Sequence, residues 1–179
     1  MVSRRRVPLS AGFPPIADSR ARVLVLGSLP GVKSLEMREY YAQPYNAFWR
    51  SMGELVGAGP ALEYPARLVQ LRAHGIAVWD VLAAGEREGS LDSAIVRASM
   101  VVNDFGAFFE HHRQLRLICF NGNTATALFA RKVLPGLAPR WAAIERRPLP
   151  STSPAYASLR FEQKLARWRE VLGGLVTLI

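Results

Sequence analysis

Residues 22–31, RVLVLGSLPG, join a short unbroken apolar run to a turn of glycine, serine and proline. An apolar run bounded by turn residues is typical of a strand that is buried on both faces. Two glycines around a proline make a stiff turn whose backbone amides a ligand can approach closely. The spacing of the glycines and of the following Lys-Ser pair matches neither a dinucleotide fingerprint nor a phosphate loop. The stretch therefore predicts a buried strand, Arg22–Leu26, that ends in a ligand-accessible turn.

Further strands alternate with helices along the chain. The strands are predicted at Ile76–Trp79, Leu115–Phe120 and Ala142–Leu149. The helices are predicted at Ala47–Val56, Leu62–His74, Thr124–Lys132 and Ala155–Leu172, the last with Ser153 as N-cap and Lys164 on its polar face. This alternation predicts a three-layer α/β/α fold with a short, mainly parallel, four-stranded central sheet. Residues 1–20, rich in Arg and Pro, are expected to be an irregular lead-in to a single domain at residues 21–179.

The charge and the cysteine content limit the classes of function. The chain has 23 Lys and Arg against 14 Asp and Glu, a formal net charge of +9. This balance attracts polyanions and indicates nucleic acid, although many small basic proteins bind none. A single cysteine excludes an internal disulfide, and the adjacent pair His111 and His112 lacks the spacing of a helical zinc site. We expect no metal, no cofactor and, because no apolar run is long, a cytoplasmic protein without a membrane partner.

Ligands of open parallel sheets bind beyond the carboxyl ends of the strands. Three segments are predicted to gather there: Gly27–Gly31, Asp80 with the residues after it, and Ser151–Pro154. Residues 40–49, YYAQPYNAFW, add aromatic rings and an amide to the same end. Asn46 stands directly before a predicted helix, so on spacing alone it fits a helix N-cap and a catalytic amide equally. Asp80 could likewise do no more than cap its own turn.

The combination of GSLPG, YYAQPYNAFW, Asp80 and STSPAYA (residues 151–157) resembles the uracil-DNA glycosylase superfamily. The resemblance covers roughly residues 23–160 and is greatest to the deoxyinosine (hypoxanthine) DNA glycosylase branch, with the mismatch-specific uracil glycosylases next. It implies a monofunctional base-excision repair enzyme, which flips a deaminated base out of DNA and hydrolyses its N-glycosidic bond. The implied partner is double-stranded or single-stranded DNA containing such a base, bound by a monomer.

The resemblance also implies roles for individual residues. Asn46 is the expected catalytic residue, because Leu29 stands where most of the superfamily has the Asp or Asn that prepares the attacking water. Tyr41 is expected to stack on the extruded base, and Asp80 to accept a hydrogen bond from its N1–H. The other expected base-binding residues are Gly27, Ser28, Leu29, Gly31 and Phe48. The loop that grips DNA in the superfamily is represented, without its His or Asn, by Ser151, Thr152, Ser153, Pro154, Ala155 and Tyr156, with the last two in the wedge region.

Two alternative functions fit the same residues. A uracil or mismatch glycosylase would use the same fold and the same pocket. A lesion-binding protein that has lost catalysis would account for Leu29 and for the altered loop at residues 151–154. A soluble nucleotide hydrolase is disfavoured, because the sequence offers no carboxylate cluster able to hold Mg²⁺.

Overall fold

The computed structural model describes residues 7–174. The strands are β1 (Leu9–Ala11), β2 (Val23–Gly27), β3 (Ile76–Asp80), β4 (Leu82–Glu86), β5 (Val101–Val102), β6 (Leu117–Asn121) and β7 (Glu145–Leu149). The helices are α1 (Val32–Met37), α2 (Phe48–Val56), α3 (Tyr64–Ala73), α4 (Phe105–His111), α5 (Asn123–Leu128), α6 (Pro139–Ala142) and α7 (Phe161–Leu172). No helix in this part of the chain has the length and apolarity to cross a membrane.

A four-stranded parallel sheet in the order β3-β2-β6-β7 forms the middle layer, and helices cover it, which confirms the predicted three-layer fold. Every residue of β2 and β3 is buried, as an unbroken apolar run predicts. The register pairs Gly27 with Asp80 and Asn121 with Leu149, so the carboxyl ends of the four strands meet at one edge. The fourth strand is shorter than predicted, because α6 occupies the start of its range.

A second, antiparallel sheet in the order β1-β4-β5 adjoins the first and was not predicted. Part of the expected irregular lead-in belongs to it, since residues 9–11 form β1, and that expectation is wrong for this part. Ile16 is also held by backbone pairing, because it exchanges two hydrogen bonds of 2.8 Å with Val78 of β3. The lead-in therefore covers the otherwise open edge of β3. The arginines at residues 4–6 lie outside the described residues.

The last helix begins at Phe161, so the prediction that it begins at Ala155 with Ser153 as N-cap is wrong. The Ser153 hydroxyl instead accepts a hydrogen bond from the backbone N–H of Ala155 at 3.2 Å, which closes a local turn. The Lys164 ammonium donates to the backbone carbonyls of Ser153 at 3.4 Å and Tyr156 at 2.7 Å. Lys164 is only 6% exposed, so its predicted place on a polar face is also wrong. The lysine holds the loop before the helix.

Candidate active site

A cavity of about 790 Å³ opens at the carboxyl edge of the parallel sheet. The three strand-end segments that the sequence places at this edge all line it, and Asn46 joins them. The volume of the cavity is in the range of small-molecule sites and is sufficient for a nucleobase. The sequence-predicted residues on its wall are Gly27, Ser28, Leu29, Gly31, Tyr41, Asn46, Asp80, Ser151, Thr152, Ser153, Pro154, Ala155 and Tyr156.

Asn46 both supports a helix start and faces the cavity. Its Oδ1 accepts a hydrogen bond of 3.0 Å from the backbone N–H of Phe48, the first residue of α2. This bond fixes the carboxamide, and it uses one lone pair of Oδ1 and neither hydrogen of Nδ2. The adjacent Ala47 N–H donates to the carbonyl of Thr152 at 2.9 Å, which ties the start of α2 to the opposite loop. The N-cap of α2 is Ala47, so the interpretation of Asn46 as the N-cap is wrong by one residue, but its bond to Phe48 N–H still supports the helix start and is compatible with ligand binding.

Asp80 is a buried carboxyl at the end of β3, 4% exposed, and its Oδ2 has no hydrogen-bond partner among the described residues. It lies against Gly27, where an added Cβ would stand 2.4 Å from Asp80 Oδ1, so any larger residue would displace the Asp80 carboxyl from its present position. Burial, together with the negative charge of Asp92, raises the pKa of Asp80 to about 7 against the opposing positive charge of Arg87. The unpartnered Oδ2 favours a ligand-reading role over capping.

Tyr41 lies on the cavity wall, and its buried hydroxyl group has no partner within hydrogen-bond geometry among residues 7–174. Its backbone has a φ of 54°, a left-handed conformation that is costly for a residue with a side chain and is held here by packing. The Tyr41 ring stacks on the Phe48 ring, with centroids 4.0 Å apart and planes 21° apart. Phe48 is fully buried behind Tyr41 and does not line the cavity, which corrects its expected place among the base-binding residues.

Asn121, at the end of β6, holds the loop at residues 151–156. Its Oδ1 accepts a hydrogen bond from the Thr152 backbone N–H and its Nδ2 donates to the Thr152 hydroxyl, both at 2.8 Å. Thr152 is 1% exposed, so it anchors the loop rather than presenting its side chain to a ligand. The next residue, Gly122, has a φ of 102°, and an added Cβ there would lie 3.0 Å from Ser151 Cβ. The Asn121-Gly122 pair, which follows the third predicted strand, is the feature of the sequence from which this anchor of the loop could have been predicted.

The turn after β2 is held by a buried arginine that the sequence did not single out. The side chain of Arg87 is fully buried, and its guanidinium donates to the backbone carbonyls of Leu29, at 3.4 Å, and Pro30. Asp92 lies 3.8 Å from the same guanidinium and accepts a hydrogen bond of 2.6 Å from the Ser28 hydroxyl. In the sequence, residues 85–92 have the composition of a solvated turn, so nothing in their pattern indicates a buried charge.

The charges around Asp80 give a prediction that needs no ligand. Asp92→Asn removes a negative charge and should lower the pKa of Asp80, whereas Arg87→Gln removes a positive charge and should raise it. The carbon chemical shift of the Asp80 carboxyl, followed by NMR titration, measures both midpoints. Glu88→Gln is the matched control, because Glu88 is exposed and does not contribute to the Asp80 pKa. An unchanged midpoint in Asp92→Asn would show that the two carboxyls are not coupled.

Comparison with known proteins agrees with this geometry. The model of the uracil DNA glycosylase superfamily matches residues 14–172. A hypoxanthine DNA glycosylase of Methanosarcina acetivorans is 42% identical over 118 residues, 65% of this chain and 73% of that protein. A hypoxanthine DNA glycosylase of Methanosarcina barkeri is 39% identical over 112 residues, 62% of this chain and 70% of that protein.

The fold comparison leads to the same family. A solution NMR structure of a candidate uracil DNA glycosylase from Methanosarcina acetivorans superposes with a TM-score of 0.73 at 35% identity. The match covers 92% of this chain and 99% of that one. The family match spans both the central sheet and the cavity at its edge. The chain therefore belongs to the uracil DNA glycosylase superfamily, as the resemblance of its motifs predicted.

Proposed function

We propose that this chain is a monofunctional DNA glycosylase that removes deaminated purine, hypoxanthine first, from DNA. The Asn46 amide and the buried Asp80 carboxyl line the same cavity, and this joint presence supports the proposal. Its similarity to two hypoxanthine DNA glycosylases, at 42% and 39% identity, supports the choice of base.

Asn46 is proposed to act on the glycosidic bond. Hydrolysis of this bond develops positive charge on the sugar and negative charge on the departing base, and polar groups fixed in advance stabilise both. The bond to Phe48 N–H already holds the Asn46 carboxamide. Its second Oδ1 lone pair can orient water at the anomeric carbon, or its Nδ2 can donate to the leaving base.

Leu29 supports the assignment of catalysis to Asn46. Its side chain is 6% exposed and packs with Leu82 and Ile95 in a small apolar cluster. An alkyl side chain there cannot polarise water, so the water-activating role that the superfamily gives this position must be supplied by another residue. Asn46 carries the amide for that role on the same cavity wall.

Asp80 is proposed to read the extruded base. When ionised it accepts a hydrogen bond from N1–H of hypoxanthine, whereas adenine offers only an acceptor at that atom. Because its pKa is about 7, the acceptor form of Asp80 increases as the pH rises through neutrality. Uracil also carries an N–H between two carbonyls, so Asp80 alone does not exclude it. The size and shape of the cavity must contribute to the discrimination against uracil.

DNA itself is proposed to be held by its phosphates and flipped locally, since the target atom cannot be reached within a duplex. The net charge of +9 supports this proposal, and Lys33 carries one positive charge to the cavity wall. The loop at residues 151–156 lies on the same wall and would contact the strand beside the lesion. We propose that a monomer acts on single-stranded or double-stranded DNA.

Base release from matched duplexes tests the proposed specificity. Deoxyinosine, deoxyuridine, deoxyxanthosine and deoxyguanosine are placed at one position, and single-turnover rates are compared. We expect deoxyinosine to be processed fastest and deoxyguanosine, which shares the N1–H donor but adds a 2-amino group, to be untouched. Faster release of uracil would favour the uracil or mismatch glycosylase instead.

A further inference from the structure

A water molecule that adds to the anomeric carbon must give up a proton, and hydrolysis therefore needs a group that accepts it. The Asn46 carboxamide can orient the water, but it has no basic atom. Leu29 has an alkyl side chain, and the buried Asp80 carboxyl is proposed to bind the base. A second carboxylate on the cavity wall would meet this requirement.

Asp92 brings such a carboxylate to the cavity. It lines the same cavity as Asn46, and 36% of its side chain is exposed, so water reaches it. The Ser28 hydroxyl donates a hydrogen bond of 2.6 Å to Asp92 Oδ1, and a guanidinium nitrogen of Arg87 lies 3.8 Å from the same oxygen. Both contacts are made to Oδ1, which leaves Oδ2 without a hydrogen-bond donor among residues 7–174. The carboxylate is therefore fixed while one of its oxygens stays available.

The surroundings of Asp92 place its charge at the reacting end of the cavity. Burial is the main cause of the raised pKa of Asp80 and of Tyr41, and the negative charge of Asp92 contributes to both. Ser28, which donates to Asp92, directly precedes Leu29 in the chain. Leu29 occupies the position from which most of the superfamily draws its water-activating side chain. Asp92 thus reaches the neighbourhood of that position from a different loop.

We propose that Asp92 is a second catalytic residue, whose carboxylate stabilises the positive charge on the sugar and accepts a proton from the attacking water. The inference rests on the proposed function, and Asp92 lies outside the motifs GSLPG, YYAQPYNAFW and STSPAYA. The water oxygen bonds to C1′, the bond from C1′ to N9 breaks, and its electron pair leaves with hypoxanthine. One water proton passes to Asp92 Oδ2 and then to solvent, and the base anion takes up a proton from solvent.

Two other effects of removing the Asp92 charge act in the opposite direction. Asp92→Asn should lower the pKa of Asp80, which increases the ionised form that accepts N1–H of hypoxanthine. The change also removes a negative charge from a face that is proposed to bind a polyanion, so the affinity for DNA should stay the same or rise. Both effects favour base release. Neither of them would explain an Asp92→Asn protein that is slower.

Single-turnover release of hypoxanthine from a deoxyinosine duplex tests the proposed role. Asp92→Asn should be slower by about a hundredfold, the effect of losing a general base. It should bind a duplex that contains the uncleavable 2′-fluoro analogue of deoxyinosine at least as tightly as the unmodified protein. Glu88→Gln is the matched control, because Glu88 is exposed in the same segment, carries the same charge and does not line the cavity. Its rate should equal that of the unmodified protein.

Chemical rescue separates catalysis from positioning. Asp92→Ala leaves space for a small carboxylate, so sodium formate should raise its rate by about tenfold or more. Sodium chloride at the same ionic strength is the control, because salt weakens phosphate contacts. Asp92→Asn should not respond to formate, because its side chain fills the space.

Two results would overturn the inference. One is a rate for Asp92→Asn equal to that of Glu88→Gln. The other is a loss in both Asp92 variants without any response to formate, which would mean that Asp92 only holds Ser28 and Arg87 in place.

Thermal melts establish that each variant is folded. If Asp92→Asn is not, Asp92→Glu replaces it, since it keeps a negative charge beside Arg87 and moves the carboxylate by one methylene group. Its rate should fall by about tenfold or more, and an unchanged rate would overturn the inference. If the unmodified protein releases no base, the proposed function itself fails and the role of Asp92 falls with it.

Discussion

Asn46→Ala should slow single-turnover release of hypoxanthine by about a hundredfold or more, the effect of removing one preorganised polar group from a transition state. The variant should still fold, because loss of the Asn46 Oδ1 bond to Phe48 N–H removes one hydrogen bond at the start of α2, worth about 1 kcal/mol. Quenched-flow sampling of base release measures the rate, and a thermal melt measures the stability. A folded Asn46→Ala protein with a near-normal rate would leave Asn46 with the capping role alone.

Asn46→Asp separates the two ends of the amide. Aspartate caps a helix start as well as asparagine does, so the bond to Phe48 N–H and the stability should be kept. It provides no Nδ2 donor. If Nδ2 supports the leaving base, this variant should be as slow as Asn46→Ala; if Oδ1 holds the water, it should retain much of its activity.

Asp80→Asn should slow the release of hypoxanthine and reduce the ratio of hypoxanthine release to adenine release, because the new side chain can present either an acceptor or a donor.

The same change should stabilise the protein at alkaline pH. Burial holds the pKa of Asp80 at about 7 in the folded state, above its ordinary 3.8, so folding favours the protonated form. The free energy of unfolding therefore falls as the pH rises from about 4 to about 7, by on the order of 4 kcal/mol.

Urea denaturation of both proteins across this pH range measures the effect. The variant should equal the natural chain at about pH 3 and below, where Asp80 is mostly neutral in both the folded and the unfolded state, and exceed it above pH 7. If the free energy of unfolding of the two proteins changed with pH in parallel, the fold would not hold the Asp80 carboxyl in its protonated form. Unchanged rates on deoxyinosine, with adenine still refused, would place base selection elsewhere in the cavity.

Three strands of the parallel sheet, β2, β3 and β6, could be predicted from sequence because each is largely a continuous apolar run, which is typical of a strand buried on both faces. The antiparallel sheet could not. Its strands are short and mixed in composition, and β1 is ordered by pairing with β4, which is distant in sequence. The start of α7 was misplaced for a related reason. Lys164 reaches back to two loop carbonyls, and this tertiary contact overrides a local capping pattern.

The residues of the candidate site could likewise be predicted only in part. The strand-end rule brought Gly27, Asp80 and residues 151–154 together correctly, since it depends only on topology. Arg87 was missed, because an arginine in a charged turn is exposed in most proteins, and its burial is explained by contacts formed only in the fold, with the carbonyls of Leu29 and Pro30 and with Asp92. Asn46 could not be assigned from spacing, since one side chain performs the capping bond and faces the cavity.

If this chain breaks the N-glycosidic bond of deoxyinosine, mass spectrometry should detect the free base directly. A duplex containing one deoxyinosine is incubated with the protein in excess, and the small-molecule fraction is analysed for hypoxanthine. We expect free hypoxanthine in amounts equal to the abasic sites formed, and a strong decrease in both with Asn46→Ala. Tight binding to the deoxyinosine duplex with no base released would contradict it, and would identify a lesion-binding protein that has lost catalysis.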